Sequence, residues 1–130
     1  MYLKDVNSAN AFTYLERTKP RLFLSILTQV EFFNAAERRI FSKHLQRTTA
    51  DSAYAAFRDD VERGVLRVLD IEPTIWDRTE RLILQNTAAV GCGTADVVHI
   101  AAALLLQADS ILTFDLRQRE LAKRVNLQMN

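Results

Sequence analysis

The sequence predicts an α/β protein in which helices flank a parallel sheet. Short apolar runs of strand length alternate along the chain with longer amphipathic patterns of helical period, and this alternation is typical of parallel sheets. The chain has only three Gly and two Pro, so most of it is expected to be regular structure. Its 130 residues are enough for one hydrophobic core, and we expect a single domain.

The predicted helices share an apolar stripe that recurs every three to four residues, and several have a capping residue or a glycine at one end. They are the stretch from Ser8 to the stop at Lys19-Pro20, Thr28 to about Phe41, about Thr49 to Arg63, Glu72 to about Ala89, the apolar stretch after Gly93, and Leu116 to Val125.

The predicted strands are short apolar runs between these helices, as in a sheet that is buried on both faces. They cover residues 22–27, 65–69 and 110–114, and a last short extended piece is expected at 126–129. Because a helix separates each strand from the next, neighbouring strands are expected to run parallel.

Composition limits the functional class. The chain carries 17 Lys and Arg against 16 Asp and Glu, a net charge of +1, so any nucleic acid must be bound by a local patch rather than by bulk charge. Cys92 is the single cysteine, which excludes an internal disulfide and favours a reducing compartment. The longest apolar run, 100–106, is far shorter than the ~20 residues of a membrane span, and the N-terminus has no secretory signal pattern. We therefore expect a cytoplasmic protein with no membrane partner.

Three acids occupy the same kind of position, directly after a strand or in a first helical turn: Glu31, Asp96 and Asp115. The carboxyl ends of parallel strands share one edge of the sheet, so these side chains are expected to converge there. Converging carboxylates repel one another unless a cation lies between them, and oxygen ligands suit Mg²⁺ or Mn²⁺. Such an ion activates water for attack on a phosphodiester, and no Ser, Cys or His nucleophile is then needed.

The same three acids also have a structural explanation. Thr28 and Glu31 fit a capping box, with Thr28 as N-cap of its helix. Asp96 lies in a first helical turn, where the helix dipole favours an anion, and Asp115 is suited to cap the helix that follows it. From the residues alone, both explanations stay open.

Three motifs carry a family resemblance: Ser25-x-x-Thr28-x-x-Glu31, Thr94-x-Asp96-x-x-His99, and Leu112-Thr113-Phe114-Asp115-x-Arg117-Gln118. With them the chain resembles the PIN-domain nucleases, particularly toxins of the VapC type, from about Asp5 to its C-terminus. The resemblance implies a PIN-like three-layer fold around a five-stranded parallel sheet. It also implies a metal-dependent endoribonuclease that serves as the toxin of a type II toxin–antitoxin pair.

The resemblance also implies a site and partners. Glu31, Asp96 and Asp115 match three of the four family acids that bind Mg²⁺ or Mn²⁺, and Thr94 and Thr113 fall at the polar positions beside them. Arg117 follows Asp115 closely enough to contact a substrate phosphate. The implied partners are an RNA substrate, a small antitoxin protein and a second copy of the chain in a homodimer.

One part of the family pattern is missing from the sequence. Family chains begin with an apolar strand that ends in Asp-Thr or Asp-Ser and supplies the first metal-binding acid. Asp5 lies only 26 residues before Glu31, an interval too short for the family's two helices. We therefore expect the first, central strand to be absent, with a start codon assigned too far downstream as the favoured explanation. The alternative is a catalytically impaired PIN-like remnant that dimerises or binds an antitoxin.

Overall fold

The computed structural model of the chain describes residues 2, 3 and 6–130. Its contacts divide the chain into Met1–Asp70, called unit 1 below, and Ile71–Asn130, called unit 2. Each unit holds one pair of parallel strands with helices packed against it. The predicted fold class, helices with short parallel strands, is confirmed.

Unit 1 contains three helices and two strands. In chain order they are α1 (Ser8–Thr18), β1 (Leu22–Ser25), α2 (Ile26–Phe41), α3 (Arg47–Glu62) and β2 (Leu66–Leu69). The two strands pair in parallel, from Leu22 beside Leu66 to Ser25 beside Leu69. The chain crosses from one strand to the other through α2 and α3, as parallel pairing requires.

An aromatic cluster forms much of the core of unit 1. The ring of Phe57 on α3 is only 3% exposed and lies 5.2 Å, between ring centroids, from the ring of Phe32 on α2. Three more aromatic rings lie around this pair: Tyr2, Phe33 and Tyr54. Each contacts at least one ring of the pair, and Phe33 also contacts Tyr54, with ring centroids 5.1 to 6.0 Å apart. Tilted and edge-on pairs of this kind add to the stability that burial alone supplies.

The start of α2 differs from the prediction. The N-cap is Ser25 rather than Thr28, and the Ser25 hydroxyl accepts a hydrogen bond from the Thr28 amide at 3.3 Å. The prediction of a capping box from Thr28 to Glu31 is therefore wrong. Because the last residue of β1 is itself the cap, the strand ends two residues earlier than predicted and the helix follows it without a loop.

Unit 2 contains four helices, a π-helical segment and two very short strands. In chain order they are α4 (Ile75–Leu82), the π-helical segment (Ile83–Thr87), α5 (Ala88–Val90), α6 (Thr94–Leu105), β3 (Ser110–Ile111), α7 (Leu116–Arg124) and β4 (Gln128–Met129). β3 and β4 pair in parallel. The most deeply buried large side chains are Ile75, Val97, Ile100 and Leu121, from α4, α6 and α7.

The helix predicted over 72–89 is interrupted by the π-helical segment. The buried Asn86 side chain donates a hydrogen bond to the Leu82 carbonyl at 3.0 Å and accepts one from Arg124 Nε at 3.1 Å. A contact with a residue 38 positions later has no local signature, so the pattern of apolar residues did not indicate it. The predicted break at Gly91 is confirmed, and this glycine has the positive φ, +71°, that ends the helical stretch.

The strand predicted over 110–114 is also shorter in the structure, where β3 covers only Ser110–Ile111. The hydroxyl of Thr113 accepts a hydrogen bond from the Asp115 amide at 3.2 Å, which turns the chain towards α7. Among the described residues, none of the helices is both long enough and apolar enough to cross a membrane.

Candidate functional site

Asp96 lies in the first turn of α6, where its carboxylate caps the helix. Oδ2 accepts a hydrogen bond from the Gly93 amide at 3.1 Å, and Oδ1 accepts one from Gln118 Nε2 at 3.0 Å. The predicted role of Asp96 at a helix start is confirmed. The second bond was not predicted, and it ties α6 to α7.

Asp115 is the N-cap of α7, as the structural explanation predicted. Its Oδ1 accepts hydrogen bonds from the amides of Arg117 at 2.8 Å and Gln118 at 2.9 Å. Both bonds end on the same oxygen, so Oδ2 takes part in neither. The carboxylate is exposed to solvent, and a further ligand can reach it.

Gln118 connects the two acids. Its backbone amide binds Asp115, its side-chain amide nitrogen binds Asp96, and its side-chain oxygen accepts a hydrogen bond from the Thr113 hydroxyl at 2.8 Å. Thr113 is buried, and its carbonyl also accepts a hydrogen bond from Arg119 Nη1 at 3.0 Å. We call Asp96, Thr113, Asp115 and Gln118 the acid cluster.

The charges of the acid cluster are not balanced by basic groups. Every hydrogen bond to Asp96 and Asp115 comes from a neutral donor, and neither forms an ion pair with a described residue. Both negative charges act on the neighbouring thiol. Burial and then the charges of Asp96 and Asp115 raise the pKa of Cys92, and the Arg117 charge offsets this only in part. The cluster is therefore a local concentration of negative charge.

Cys92 itself is not suited to nucleophilic chemistry. It is buried, its Sγ donates a weak hydrogen bond to the Arg117 carbonyl at 3.4 Å, and its pKa is raised rather than lowered. The reactive form of a cysteine is the thiolate, which a raised pKa disfavours. The structure thus supports a structural role for this residue.

The other predicted substrate-contacting residues lie close by in the chain and are exposed. Thr94 is the first residue of α6. The Arg117 side chain donates a hydrogen bond from Nη1 to the Gly91 carbonyl at 2.9 Å, which ties the first turn of α7 to the glycine-rich break before α6. A guanidinium has five N–H donors, so this bond leaves Arg117 able to bind an anion.

Two of the three predicted acids come together within unit 2. Asp96 and Asp115 join in unit 2, whereas Glu31 is a half-buried residue of α2 in unit 1. Asp5, which the sequence analysis weighed as a first acid, lies outside the described residues. In the described part of either unit, no three or more His, Cys, Asp and Glu form a group that could hold a metal ion. Any metal site within unit 2 would therefore rest on two carboxylates.

Two carboxylates still fit a divalent cation of the magnesium type. Mg²⁺ commonly keeps several water ligands and is bound by one or two carboxylates together with substrate phosphates. In the acid cluster, Asp115 Oδ2 is the oxygen left outside the capping bonds, and no basic side chain among the described residues forms an ion pair with either carboxylate. The donor chemistry is that of a hard cation site.

No role was predicted for Gln118. The sequence does contain a pattern that includes this residue: Asp115 followed three residues later by Gln118 is a capping-box pattern. That pattern predicts a side chain that turns back to the Asp115 amide. Instead, the Asp115 amide donates to Thr113, and the Gln118 side chain spans Thr113 and Asp96. The local pattern therefore identifies the residue but not its partners.

Comparison with known proteins gives one match. The family model described as the PIN domain matches residues 1–124. No curated protein and no solved structure matches the chain. PIN domains are generally metal-dependent nucleases and typically use divalent metal ions. Since the match covers nearly all of the 130 residues, the chain belongs to the PIN domain family.

Proposed function

We propose that the protein is a Mg²⁺- or Mn²⁺-dependent endoribonuclease and the toxin of a type II toxin–antitoxin pair. The observation that carries the nuclease proposal is the acid cluster, in which two carboxylates share one partner and have only neutral donors. Neither acid forms an ion pair with a described residue, so the charge of each is available to a cation. The proposal of a toxin rests on the resemblance of the three sequence motifs to VapC-type proteins.

In this proposal, Asp96 and Asp115 hold the ion, and Glu31 is a third ligand. When bound, the divalent ion lowers the pKa of a water molecule and offsets the charge that develops on the phosphodiester. Gln118 holds the two carboxylates at a fixed separation through its two hydrogen bonds to them. This prior positioning lowers the cost of organising the site when substrate binds.

Three further residues are proposed to contact the RNA. Arg117 is exposed at the first turn of α7 and is suited to a charge-assisted hydrogen bond with a phosphate. Thr94 supplies an exposed hydroxyl at the start of α6, and Thr113 is a buried member of the acid cluster whose hydroxyl binds Gln118. The remaining parts of the proposal are a cytoplasmic location, a small antitoxin protein as partner and a homodimer.

The decisive experiment is cleavage of single-stranded RNA by Asp96→Asn. Asn is nearly isosteric, and its single acceptor oxygen keeps the capping bond from the Gly93 amide but not the bond from Gln118, so the helix start is expected to persist while the charge is lost. We expect Mg²⁺-dependent cleavage to fall by at least about a hundredfold. Asp109→Asn removes an exposed acid of unit 2 outside the cluster and serves as the matched control. Undiminished cleavage by Asp96→Asn would overturn the assignment.

A specific observation also favours a second function, that of a binding module without catalysis. Asp96 and Asp115 already complete the hydrogen bonding of two helix starts, so the acid cluster is accounted for without a metal. Calorimetric titration with Mg²⁺ and Mn²⁺ separates the two functions. A site that saturates at or below millimolar concentration and disappears in Asp96→Asn supports the nuclease, and the absence of such a site supports the binding module.

A further inference from the structure

A groove of about 440 Å³ lies in unit 1, beside the first residues of β1 and β2. Its lining includes two arginines, Arg21 and Arg67, one aromatic ring, Phe23, and the turn residues Gly64 and Val65. None of the lining residues is acidic. This region is separate in the chain from every residue of the acid cluster, and the proposed function does not use it.

Strand pairing explains why these side chains share one surface. Phe23 on β1 lies directly beside Arg67 on β2, so their side chains point to the same face of the sheet. The neighbouring residue Leu66 points to the opposite face and is only 2% exposed. Farther along the face that carries Phe23 and Arg67, Ser25 is buried and Leu69 is half-buried, so the open part of this face is the part around Phe23 and Arg67.

The open part of this face presents two arginines and an aromatic ring whose exposure is not explained by contacts among the described residues of unit 1. Phe23 is 47% exposed, and Arg21 and Arg67 are both exposed. Neither arginine forms an ion pair or hydrogen bond with a described residue, whereas Arg47 and Arg63 in the same unit bind carboxylates. An accessible ring that lines the same groove as two guanidinium groups without a described partner suits a ligand that is anionic and also has a flat apolar surface.

A single-stranded nucleic acid has both properties in alternation. Its bases stack on aromatic side chains, and its phosphates bind arginine, without need for a particular base sequence. A duplex does not fit in the same way, because its bases are stacked on one another and their faces are not available. An acidic peptide satisfies the arginines but leaves the ring of Phe23 without a stacking partner.

We propose that this groove binds a single-stranded segment of RNA, with a base stacked on Phe23 and phosphates held by Arg21 and Arg67. The choice of RNA as the polymer rests on the proposed nuclease function. The groove would hold the substrate chain at a second point, apart from the phosphodiester that is cleaved. Loss of the groove is therefore expected to raise KM for RNA and to leave kcat nearly unchanged.

The test measures binding of a fluorescein-labelled 12-nucleotide single-stranded RNA to the full chain by anisotropy, in EDTA so that no cleavage occurs. Phe23→Leu keeps an apolar strand residue and removes the ring, and we expect Kd to rise about tenfold. Phe23→Tyr keeps an aromatic ring and is expected to bind RNA with the Kd of the parent protein. Arg67→Ala is also expected to raise Kd about tenfold and to reduce the slope of log K against log salt by about 0.7.

The matched control is Arg38→Ala, which removes an exposed arginine of α2 outside the groove. Its Kd is expected to stay within about twofold of the parent value. Parent-like binding by both Phe23→Leu and Arg67→Ala would overturn the proposal, and so would an equal loss in Arg38→Ala. Equal affinity for duplex RNA, or competition by a polyglutamate peptide as effective as that by RNA, would show a general anion surface and would also overturn it.

The same measurements separate the groove from the nuclease. Asp96→Asn is expected to lose cleavage in Mg²⁺ but to keep the parent Kd in EDTA. If the parent protein binds RNA through Phe23 and Arg67 but does not cleave it, the groove stands and the nuclease proposal fails. If cleavage depends on Asp96 while Phe23→Leu and Arg67→Ala leave Kd and KM unchanged, the nuclease stands and the groove proposal fails.

Discussion

Carboxylates are stabilised in opposite ways in the two units. In unit 1, Glu37 accepts two hydrogen bonds from the Arg47 guanidinium, at 2.7 and 2.8 Å, and one from the Tyr54 hydroxyl at 2.9 Å. These bonds lower the pKa of Glu37 to about 2, with the Arg47 hydrogen bonds as the first cause. In unit 2, Asp96 and Asp115 accept hydrogen bonds only from backbone and side-chain amides.

Glu37 is paired with a cationic side chain, whereas Asp96 and Asp115 form no ion pair with a described residue. The Glu37 charge is already matched by a guanidinium in a two-pronged geometry, so there is little reason for a metal ion to bind there. Amide donors fix the positions of Asp96 and Asp115 but leave their charges unbalanced. Unit 2 therefore combines fixed geometry with free charge, which is the combination that cation binding needs.

The largest expected effect is the loss of RNA cleavage in Asp115→Asn, measured beside Glu37→Gln. Asparagine keeps the cap of α7 but removes the charge, and we expect cleavage to fall by about a hundredfold or more, since changes merely beside a metal ligand already cost about 10- to 100-fold. Glu37→Gln removes a charge of unit 1 and is expected to leave kcat unchanged. A similar loss in both variants would show that the two carboxylates do not differ in the way proposed.

An intermediate effect is expected from Gln118→Ala, which removes the link within the acid cluster. The buried Thr113 hydroxyl loses its acceptor and Asp96 loses a donor, so the free energy of unfolding is expected to fall by ~1–3 kcal/mol. Urea denaturation followed by circular dichroism measures it. Gln46→Ala, at an exposed residue whose side chain makes no capping bond, should change the value by less than ~0.5 kcal/mol. Equal effects would show that the Gln118 link does not contribute to the fold.

The smallest effect is the pH dependence that Glu37 contributes. Its pKa is lower in the folded chain than the ~4.3 of an unfolded glutamate, so its stabilising contribution is fully present above about pH 5 and is lost as pH falls towards about 2. The group is exposed, which keeps the contribution small and sensitive to salt. Melting temperatures across this range should fall less steeply for Glu37→Gln than for the parent protein. Parallel curves for the two proteins would contradict the prediction.

The element order was predictable from the sequence because apolar periodicity is a local signal. Each predicted helix and strand has a counterpart, including the stop after Thr18 and the short final strand Gln128–Met129. The predicted junctions were less accurate where a side chain bonds to its own backbone. The Ser25 hydroxyl binds the Thr28 amide at the last residue of β1, and the Thr113 hydroxyl binds the Asp115 amide two residues after β3, so both strands end earlier than their apolar runs suggest.

The site was predictable only in part, because its geometry depends on contacts between residues distant in the chain. Asp96 and Asp115 were identified from their positions at helix starts, and both capping roles followed from local rules. The bond from Gln118 to Asp96 spans 22 residues, and no periodic pattern encodes it. The role of Glu31 as a ligand beside the two aspartates likewise depends on the tertiary structure and not on a local pattern. This role stays a prediction.

The π-helical segment Ile83–Thr87 adds one residue to the helical stretch between α4 and Gly91. A π-turn contains one residue more than an α-turn, so it is equivalent to a single-residue insertion in a regular helix. Deleting one residue there would return the segment to α-helix and move Asn86, which lies within it, away from the position from which it binds Arg124. A change of length is therefore expected to cost more stability in this segment than in the turn 42–46, which contains no buried residue.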